Sequence, residues 1–263
     1  MDPRLNIAIR AARKAGSVIS QYADHIDSLK ITEKSRNDFV SEVDCAAEKE
    51  IISILKRSYP DHAILAEESG EKPGNENVWI IDPLDGTTNF LHGFPVFAVS
   101  IALKCRDNIE VGVVYDPIRQ DIFAASRGSG ATLNDRKIRV TPKKTLEGAL
   151  LGTGFPYRDL SYMDNYLKMF SELMKDTAGI RRAGSAAIDL AYVAAGRLDG
   201  FWEIGLKPWD MAAGILLINE AGGTVSDFND DKNSLECGQI VAGNHKIHQA
   251  ILRIIEPYIT SDM

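Results

Sequence analysis

The sequence predicts an α+β protein whose second half is α/β, and three observations carry that expectation. Short apolar segments separated by tight turns run from His62 to Val140, the pattern of a meandering antiparallel sheet. Beyond Thr141-Pro142-Lys143-Lys144, strand-like and helix-like segments alternate, the pattern of an α/β unit. The chain has 263 residues, 44% of them hydrophobic, enough for one large core or two closely fused lobes. The run at Thr141 divides an N-terminal lobe, 1–142, from a C-terminal lobe, 143–263. No long flexible linker lies there, so the lobes are expected to be fused into one unit.

Each element has a local reason. Asp2-Pro3 starts a first helix, because proline is tolerated in a first turn. Leu5, Ala8, Ile9, Ala12, Ala15 and Ile19 form its apolar stripe. A second helix, 44–58, turns Ala47, Ile51 and Leu55 to one side and ends at Tyr59-Pro60-Asp61. His62 to Ala66 reads as a short strand that delivers Glu67 and Glu68 at its end. Residues 69–77, with Gly, Pro and Asn, read as a loop. Strands follow over 78–81, 96–103, 109–115 and 121–126, with turns at Asp107-Asn108, at Asp116-Pro117 and around Gly128 and Gly130. Residues 137–140 are expected to pair nearby. In the second half, 150–152 is strand-like and 162–176 helical. Arg181 and Arg182 precede Ser185, which can cap a helix over 186–195. Phe201-Trp202-Glu203 ends a strand. Residues 209–220 form a helix that buries Ala212, Ala213, Leu216 and Leu217. Val225 and Ile240-Val241 are strands, and 246–255 is a last helix.

Composition removes several function classes. The net charge is -7, from 30 basic and 37 acidic residues, and no Lys/Arg block forms a phosphate-tracking surface. Direct DNA binding is not expected. Cys45, Cys105 and Cys237 are widely spaced without a CxxC pair, which fits reduced thiols in a cytoplasmic protein better than a disulfide framework or a zinc-thiolate site. The start, MDPRLNIAIRAARKAG, lacks the apolar core of a signal peptide. No segment approaches the roughly 20 apolar residues that span a bilayer. His25, His62, His92, His245 and His248 are scattered, the last two on a helix expected at the surface. Neither Gly152-Thr153-Gly154 nor Gly128-Ser129-Gly130 completes a dinucleotide fingerprint. No Walker lysine follows either, and there is no GxSxG elbow.

The stretch WIIDPLDGTTNFLHG, Trp79 to Gly93, is where chemistry concentrates. Asp82 and Asp85 stand three apart at the end of a strand. Carboxylates in this arrangement can converge on hard divalent cations, with the Leu84 carbonyl as a further oxygen. The same residues also make an ordinary Asx-type turn. Gly86, Thr87 and Thr88 then open a short helix, whose N–H groups and hydroxyl suit a phosphate oxygen and a water. Glu67 and Glu68 point in roughly opposite directions, so one of them enters the site and spacing alone does not say which. Asp210, just inside a helix of small apolar residues, is either a metal ligand or a helix N-terminal acid held by the dipole. Glu203 is either an acceptor for a substrate hydroxyl or a solvated loop acid.

Asp82-Pro83-Leu84-Asp85-Gly86-Thr87-Thr88-Asn89-Phe90 resembles the first signature of the inositol monophosphatase family. Trp209-Asp210-Met211-Ala212-Ala213-Gly214 with Glu220-Ala221-Gly222-Gly223 resembles its second. The similarity extends to Asn37-Asp38-Phe39-Val40, Glu67-Glu68-Ser69-Gly70 and Arg182-Ala183-Gly184-Ser185-Ala186-Ala187, and the bacterial branch is the best match. The resemblance implies a layered αβαβα sandwich and a magnesium-dependent, lithium-sensitive phosphomonoesterase acting on inositol monophosphate. It implies two to three Mg²⁺ ions, with Mn²⁺ as a substitute, on Glu67, Asp82, the Leu84 carbonyl, Asp85 and Asp210. The first lobe would then carry most metal ligands and the second Asp210 with the substrate side. Asp44, Glu67 and Thr87 would be catalytic, Asp44 and Thr87 orienting the attacking water. Asp85, Gly86, Thr87, Gly184, Ser185, Ala186, Glu203 and Asp210 would bind substrate. The resemblance further implies a homodimer. It leaves open fructose 1,6-bisphosphate or another small phosphate ester as substrate. Bacterial members also join the transcription antitermination machinery, which makes RNA polymerase or elongation factors expected partners of a regulatory alternative.

Overall fold

The computed structural model describes residues 2–23, 31–35, 38–156 and 160–260. His25 and Asn37 therefore lie outside the described residues. Apolar residues at helical spacing give α1 (Pro3–Ala23) one buried stripe, Leu5, Ala8, Ala12, Ala15 and Ile19. A hairpin of β1 (Ile31–Ser35) and β2 (Asp38–Ser41) leads into α2 (Glu42–Ser58), which packs beside α1. The chain then builds β3 (His62–Ala66), β4 (Gly70–Lys72), β5 (Asn75–Asp85), the short helix α3 (Thr87–Leu91), β6 (Ala98–Cys105), β7 (Asn108–Asp116), β8 (Asp121–Ser126), β9 (Ala131–Leu133) and β10 (Arg136–Lys137). These strands form one sheet in the order β10-β9-β8-β7-β6-β5-β3-β4. The second half supplies β11 (Leu150–Thr153), α4 (Met163–Asp176), β12 (Gly179–Arg181), α5 (Ala186–Ala194), β13 (Gly200–Ile204), α6 (Pro208–Glu220), β14 (Thr224–Ser226), α7 (Ser234–Cys237), β15 (Gln239–Gly243) and α8 (His245–Ile255). Its sheet runs β12-β11-β13-β15-β14.

Strand alternation sorts the core into layers. In the large sheet, Trp79, Ile81, Val99, Ile101, Leu103, Val111 and Val113 meet α1 and α2. Their neighbours Ile80, Ala98, Ala102, Val114 and Phe123 face the other way, onto α5 and α6. The far side of that helix pair meets Phe201, Ile240 and Ala242 of the small sheet. Leu151, Trp202, Ile204 and Val241 then bury against α4 and α8. The result is the αβαβα sandwich that the family resemblance implied.

The differences from the sequence reading have local causes. The stretch 69–77 is not a plain loop: β4 pairs antiparallel with the outer edge of β3, and the chain reverses again into β5. That double reversal makes β5 parallel to β3 inside an otherwise antiparallel sheet. The last strand of the sheet starts one residue earlier than expected, at Arg136, and its pairing runs through Lys137 to Ile138, whose N–H donates to the Ala131 carbonyl at 3.0 Å, while the Val140 N–H turns to the Ala221 carbonyl. β12 and α7 are too short to carry a periodic signal. His248 is fully buried rather than at the surface, its Nε2 2.8 Å from Ser226 Oγ, and burial pushes its imidazole pKa down.

Helix α6 is apolar nearly all round and lies between the two sheets, as such helices must. Three contacts fix its position. Ser100 Oγ donates to the Trp209 carbonyl at 3.0 Å. The N–H groups of Gly128 and Gly130 each donate to the Glu220 carboxylate at 2.7 Å, which is the work of the Gly128-Ser129-Gly130 turn. Between these ends, β7 presents Gly112, where a Cβ would lie 2.9 Å from the Ala213 carbonyl oxygen. Gly112→Val is therefore expected to destabilise the fold by about 1–3 kcal/mol through overpacking, read as a lower urea midpoint at unchanged slope. Because α6 carries Asp210, activity should fall in the protein that remains folded. A midpoint equal to wild type would contradict this close packing.

Candidate metal and phosphate site

Asp82 pairs with Ser100 and Asp85 with Ala98, so three steps along β5 oppose two along β6. The extra residue makes a bulge, which re-aims side chains at the strand end. Pro83 sits in it, where a missing N–H costs no ladder bond. The Leu84 N–H donates to Asp82 Oδ1 at 2.9 Å, so the Asx turn read from Asp-Pro is present beside the acidic cluster. Gly86 then takes φ +98°, and a Cβ there would come within 2.9 Å of the Val96 carbonyl oxygen. Glycine is needed on both counts.

Two helix starts hold the other carboxylates. The Ser185 hydroxyl donates to Asp85 Oδ2 at 2.6 Å, and the Ala187 N–H donates to the same oxygen at 2.7 Å. Ser185 also caps α5, as its sequence position suggested, accepting from the Ile188 N–H at 3.4 Å. Asp210 lies in the first turn of α6 and accepts the Lys207 N–H at 2.7 Å. Both readings of Asp210 thus coexist in one side chain. One carboxylate oxygen from each of Asp82, Asp85 and Asp210 falls within 4.8 Å of the others.

Glu67 follows β3 and its N–H donates to the Ile81 carbonyl at 3.1 Å. Burial first, then the Glu67, Asp85 and Asp210 carboxylates, push Asp82 well above the usual carboxylate range, opposed by the Leu84 N–H. Glu67 is thereby part of the cluster. Glu68 lines a different groove with Cys45, Glu48 and Lys72, its N–H donating to Glu48 Oε2 at 2.9 Å. Acidic oxygens at this density, with no nitrogen or sulfur donor in the group, fit a hard divalent cation that offsets their repulsion.

Behind the cluster, Asp44 is fully buried at the start of α2. Its Oδ2 accepts from the Ser41 N–H at 2.8 Å and the Ser41 hydroxyl at 2.5 Å. Its Oδ1 accepts from the Thr87 hydroxyl at 2.9 Å, and the Leu84 carbonyl lies 3.1 Å from the same hydroxyl. Burial raises the Asp44 pKa, and the Ser41 and Thr87 hydrogen bonds oppose it. Ser41 was missed in the sequence, although Ser-x-x-Asp before an apolar helix is a capping signal.

The cluster borders a cleft of about 320 Å³ lined by Gly184, Ser185, Ala186 and Glu203 together with Asp85 and Asp210. Glu203 points over Gly154, where a Cβ would overlap its carboxylate. Burial first, then Asp189, Asp210 and Asp85, push Glu203 well above the usual range, and Arg182 opposes them. The fold thus gathers Asp44, Glu67, Asp82, Leu84, Asp85, Gly86, Thr87, Gly184, Ser185, Ala186, Glu203 and Asp210 around one site and sends Glu68 to another groove. Asp189 and Arg182 line the same cleft. The signal for Asp189 was one carboxylate inside an otherwise apolar helix.

The sequence profile of the inositol monophosphatase family matches residues 1–260. The chain is 56% identical over 265 residues to the Nus factor SuhB of Pseudomonas aeruginosa, covering 98% of each. Among solved structures, it superposes on the extragenic suppressor protein suhB of Bartonella henselae with a TM-score of 0.94 at 45% identity, over 97% of this chain and 98% of that one. On the IMPase of Thermotoga maritima the TM-score is 0.89 at 35% identity, over 98% of both chains. The chain belongs to the inositol monophosphatase family, a family of metal-dependent phosphatases.

Proposed function

We propose that the protein is a Mg²⁺-dependent phosphomonoesterase that hydrolyses inositol monophosphate to inositol and phosphate by direct attack of water. The convergence of Asp82, Asp85 and Asp210, the last two lining the cleft, carries this reading. Those three, with Glu67 and the Leu84 carbonyl, are the residues that would hold two or three Mg²⁺ ions, with Mn²⁺ able to substitute. Bound there, divalent ions supply charge stabilisation to the phosphoryl and leaving oxygens and lower the pKa of water.

The chain's own groups do the rest. Asp44 claims the single hydroxyl hydrogen of Thr87, which leaves a Thr87 lone pair to accept a hydrogen from the attacking water. Ser41 holds Asp44 in place for that role. The N–H groups of Gly86 and Thr87 orient a phosphate oxygen for in-line attack. Ala186 and Glu203 contact the alcohol half, with Gly184 and Ser185 shaping that wall. Full burial keeps Asp44 out of bulk water.

A second reading has one observation in its favour: the P. aeruginosa relative is called a Nus factor. In that reading the chain is a regulatory component of transcription antitermination that contacts RNA polymerase or elongation factors, and catalysis is dispensable to it. Fructose 1,6-bisphosphate or another small ester is the main alternative substrate within the catalytic reading.

Rates for inositol 1-phosphate and fructose 1,6-bisphosphate, with and without Mg²⁺, test the proposal in wild type and Asp210→Asn. Asparagine keeps an oxygen for the Lys207 N–H, so the fold should persist. Turnover should fall at least about 100-fold with the lost charge. Near-wild-type turnover in Asp210→Asn would reject the metal assignment. Capture of RNA polymerase by both forms would favour the regulatory reading. Thr87→Ala keeps the backbone N–H and loses the hydroxyl. It should lower kcat by about 10²–10⁴-fold while KM changes little, as steady-state kinetics would show. A raised KM at unchanged kcat would reject the water-orienting role.

A further inference from the structure

Asp189 is a buried carboxylate that neither the metal cluster nor the proposed water relay uses. It lies in α5, three residues beyond Ala186, and is 3% exposed. Its carboxyl makes no hydrogen bond to any described residue, and a buried polar group without a partner calls for an explanation. It lines the same cleft as Glu203, Ala186 and Asp210.

The strand beneath has given up its side chains to make room. Gly152 in β11 and Gly154 just past its end, from the rejected dinucleotide motif, stand two residues apart and so share one side of the extended chain. A Cβ at Gly152 would stand 3.5 Å from Asp189 Cγ and 2.9 Å from Leu198 Cδ1. A Cβ at Gly154 would overlap the Glu203 carboxylate. The Gly-Thr-Gly segment therefore serves as a floor under two neighbouring carboxyl groups. Arg182 lines the same cleft, its guanidinium carbon 5.7 Å from the Phe155 ring centre. Burial and neighbouring carboxylates push both carboxyls well above the usual range, and the positive charge of Arg182 opposes that shift.

We infer that Asp189 is a second hydroxyl-reading group of the substrate cleft, accepting alongside Glu203 from neighbouring hydroxyls on the alcohol half of the phosphate ester. Two carboxyl groups side by side over the glycine floor present paired oxygens to the adjacent hydroxyls of a vicinal polyol. The inference deepens, and rests on, the phosphatase reading proposed above. It makes the cleft selective for polyhydroxylated alcohols over esters with no hydroxyl to donate.

The test compares wild type and Asp189→Asn with Mg²⁺ on two substrates, inositol 1-phosphate and p-nitrophenyl phosphate. Losing the carboxyl should lower kcat/KM for the inositol ester roughly 10–100-fold. The rate on p-nitrophenyl phosphate should stay within about twofold of wild type, which also reports an intact fold. Equal losses on both substrates, in a variant whose circular dichroism matches wild type, would assign Asp189 to structure and overturn the inference. So would no loss on either. If Asp189→Asn does not fold, Asp189→Ser carries the same comparison with the same outcomes. Failure of wild type to hydrolyse either ester would overturn the phosphatase reading itself, and this inference with it.

Discussion

Mutual repulsion among carboxylates is the constraint on which the rest of the site depends. Asp82, Asp85 and Asp210 place oxygens within 4.8 Å of one another, and Glu67 adds its charge to the group. Asp82 is also removed from water, so the cluster is held together by the surrounding fold rather than by its own attraction. Each member is restrained by backbone or hydroxyl donors: Leu84 on Asp82, Ser185 and Ala187 on Asp85, Lys207 on Asp210. Two of these restraints are helix N-termini, whose dipoles favour negative charge. The arrangement stores a demand for cations that the protein's own groups only partly meet.

That demand sets requirements far from the cluster. The α5–α6 pair must lie close to both sheets for its two N-termini to reach the bulge in β5. Small residues make this possible: Ala98, Ser100, Ala102 and Gly112 on the large sheet lie against Trp209, Ala212 and Ala213 of α6. At Gly214 a Cβ would lie 2.5 Å from Leu190 Cβ, so the two helices also approach each other closely. Close packing leaves little freedom for either helix, and a metal site needs such rigidity. The cores beyond both sheets carry the large residues instead, Trp79 on one side and Trp202 on the other.

Most of the fold was legible because long elements carry period. The α1 stripe and the alternation along β6 and β7 show which faces are buried, and Ser185 marks where α5 starts. The acidic residues of the site were legible as residue types at strand and helix ends. Their convergence was not, because it depends on a bulge that sequence presents only as an Asp-Pro turn. Glu67 and Glu68 are likewise indistinguishable in sequence, and only the register of β3 against β5 sends one to the cluster and the other to a separate groove. Asp189 reads as a blemish in an apolar helix until β11 is placed beneath it. Gly128-Ser129-Gly130 reads as a plain turn until Glu220 is found in its N–H groups. His248 shows the reverse error, since a polar residue beside Ile247 and Ile251 lies on the buried side of α8.

The central claim is that one bulge and two helix starts assemble a divalent-cation site, and anomalous diffraction from crystals soaked in Mn²⁺ tests it most directly. The account predicts anomalous peaks in contact with the carboxylates of Asp82, Asp85 and Asp210, absent from crystals of Asp210→Asn at the ion that this residue contacts. Mn²⁺ bound only elsewhere, or a cluster that stays free of metal at millimolar Mn²⁺, would contradict it.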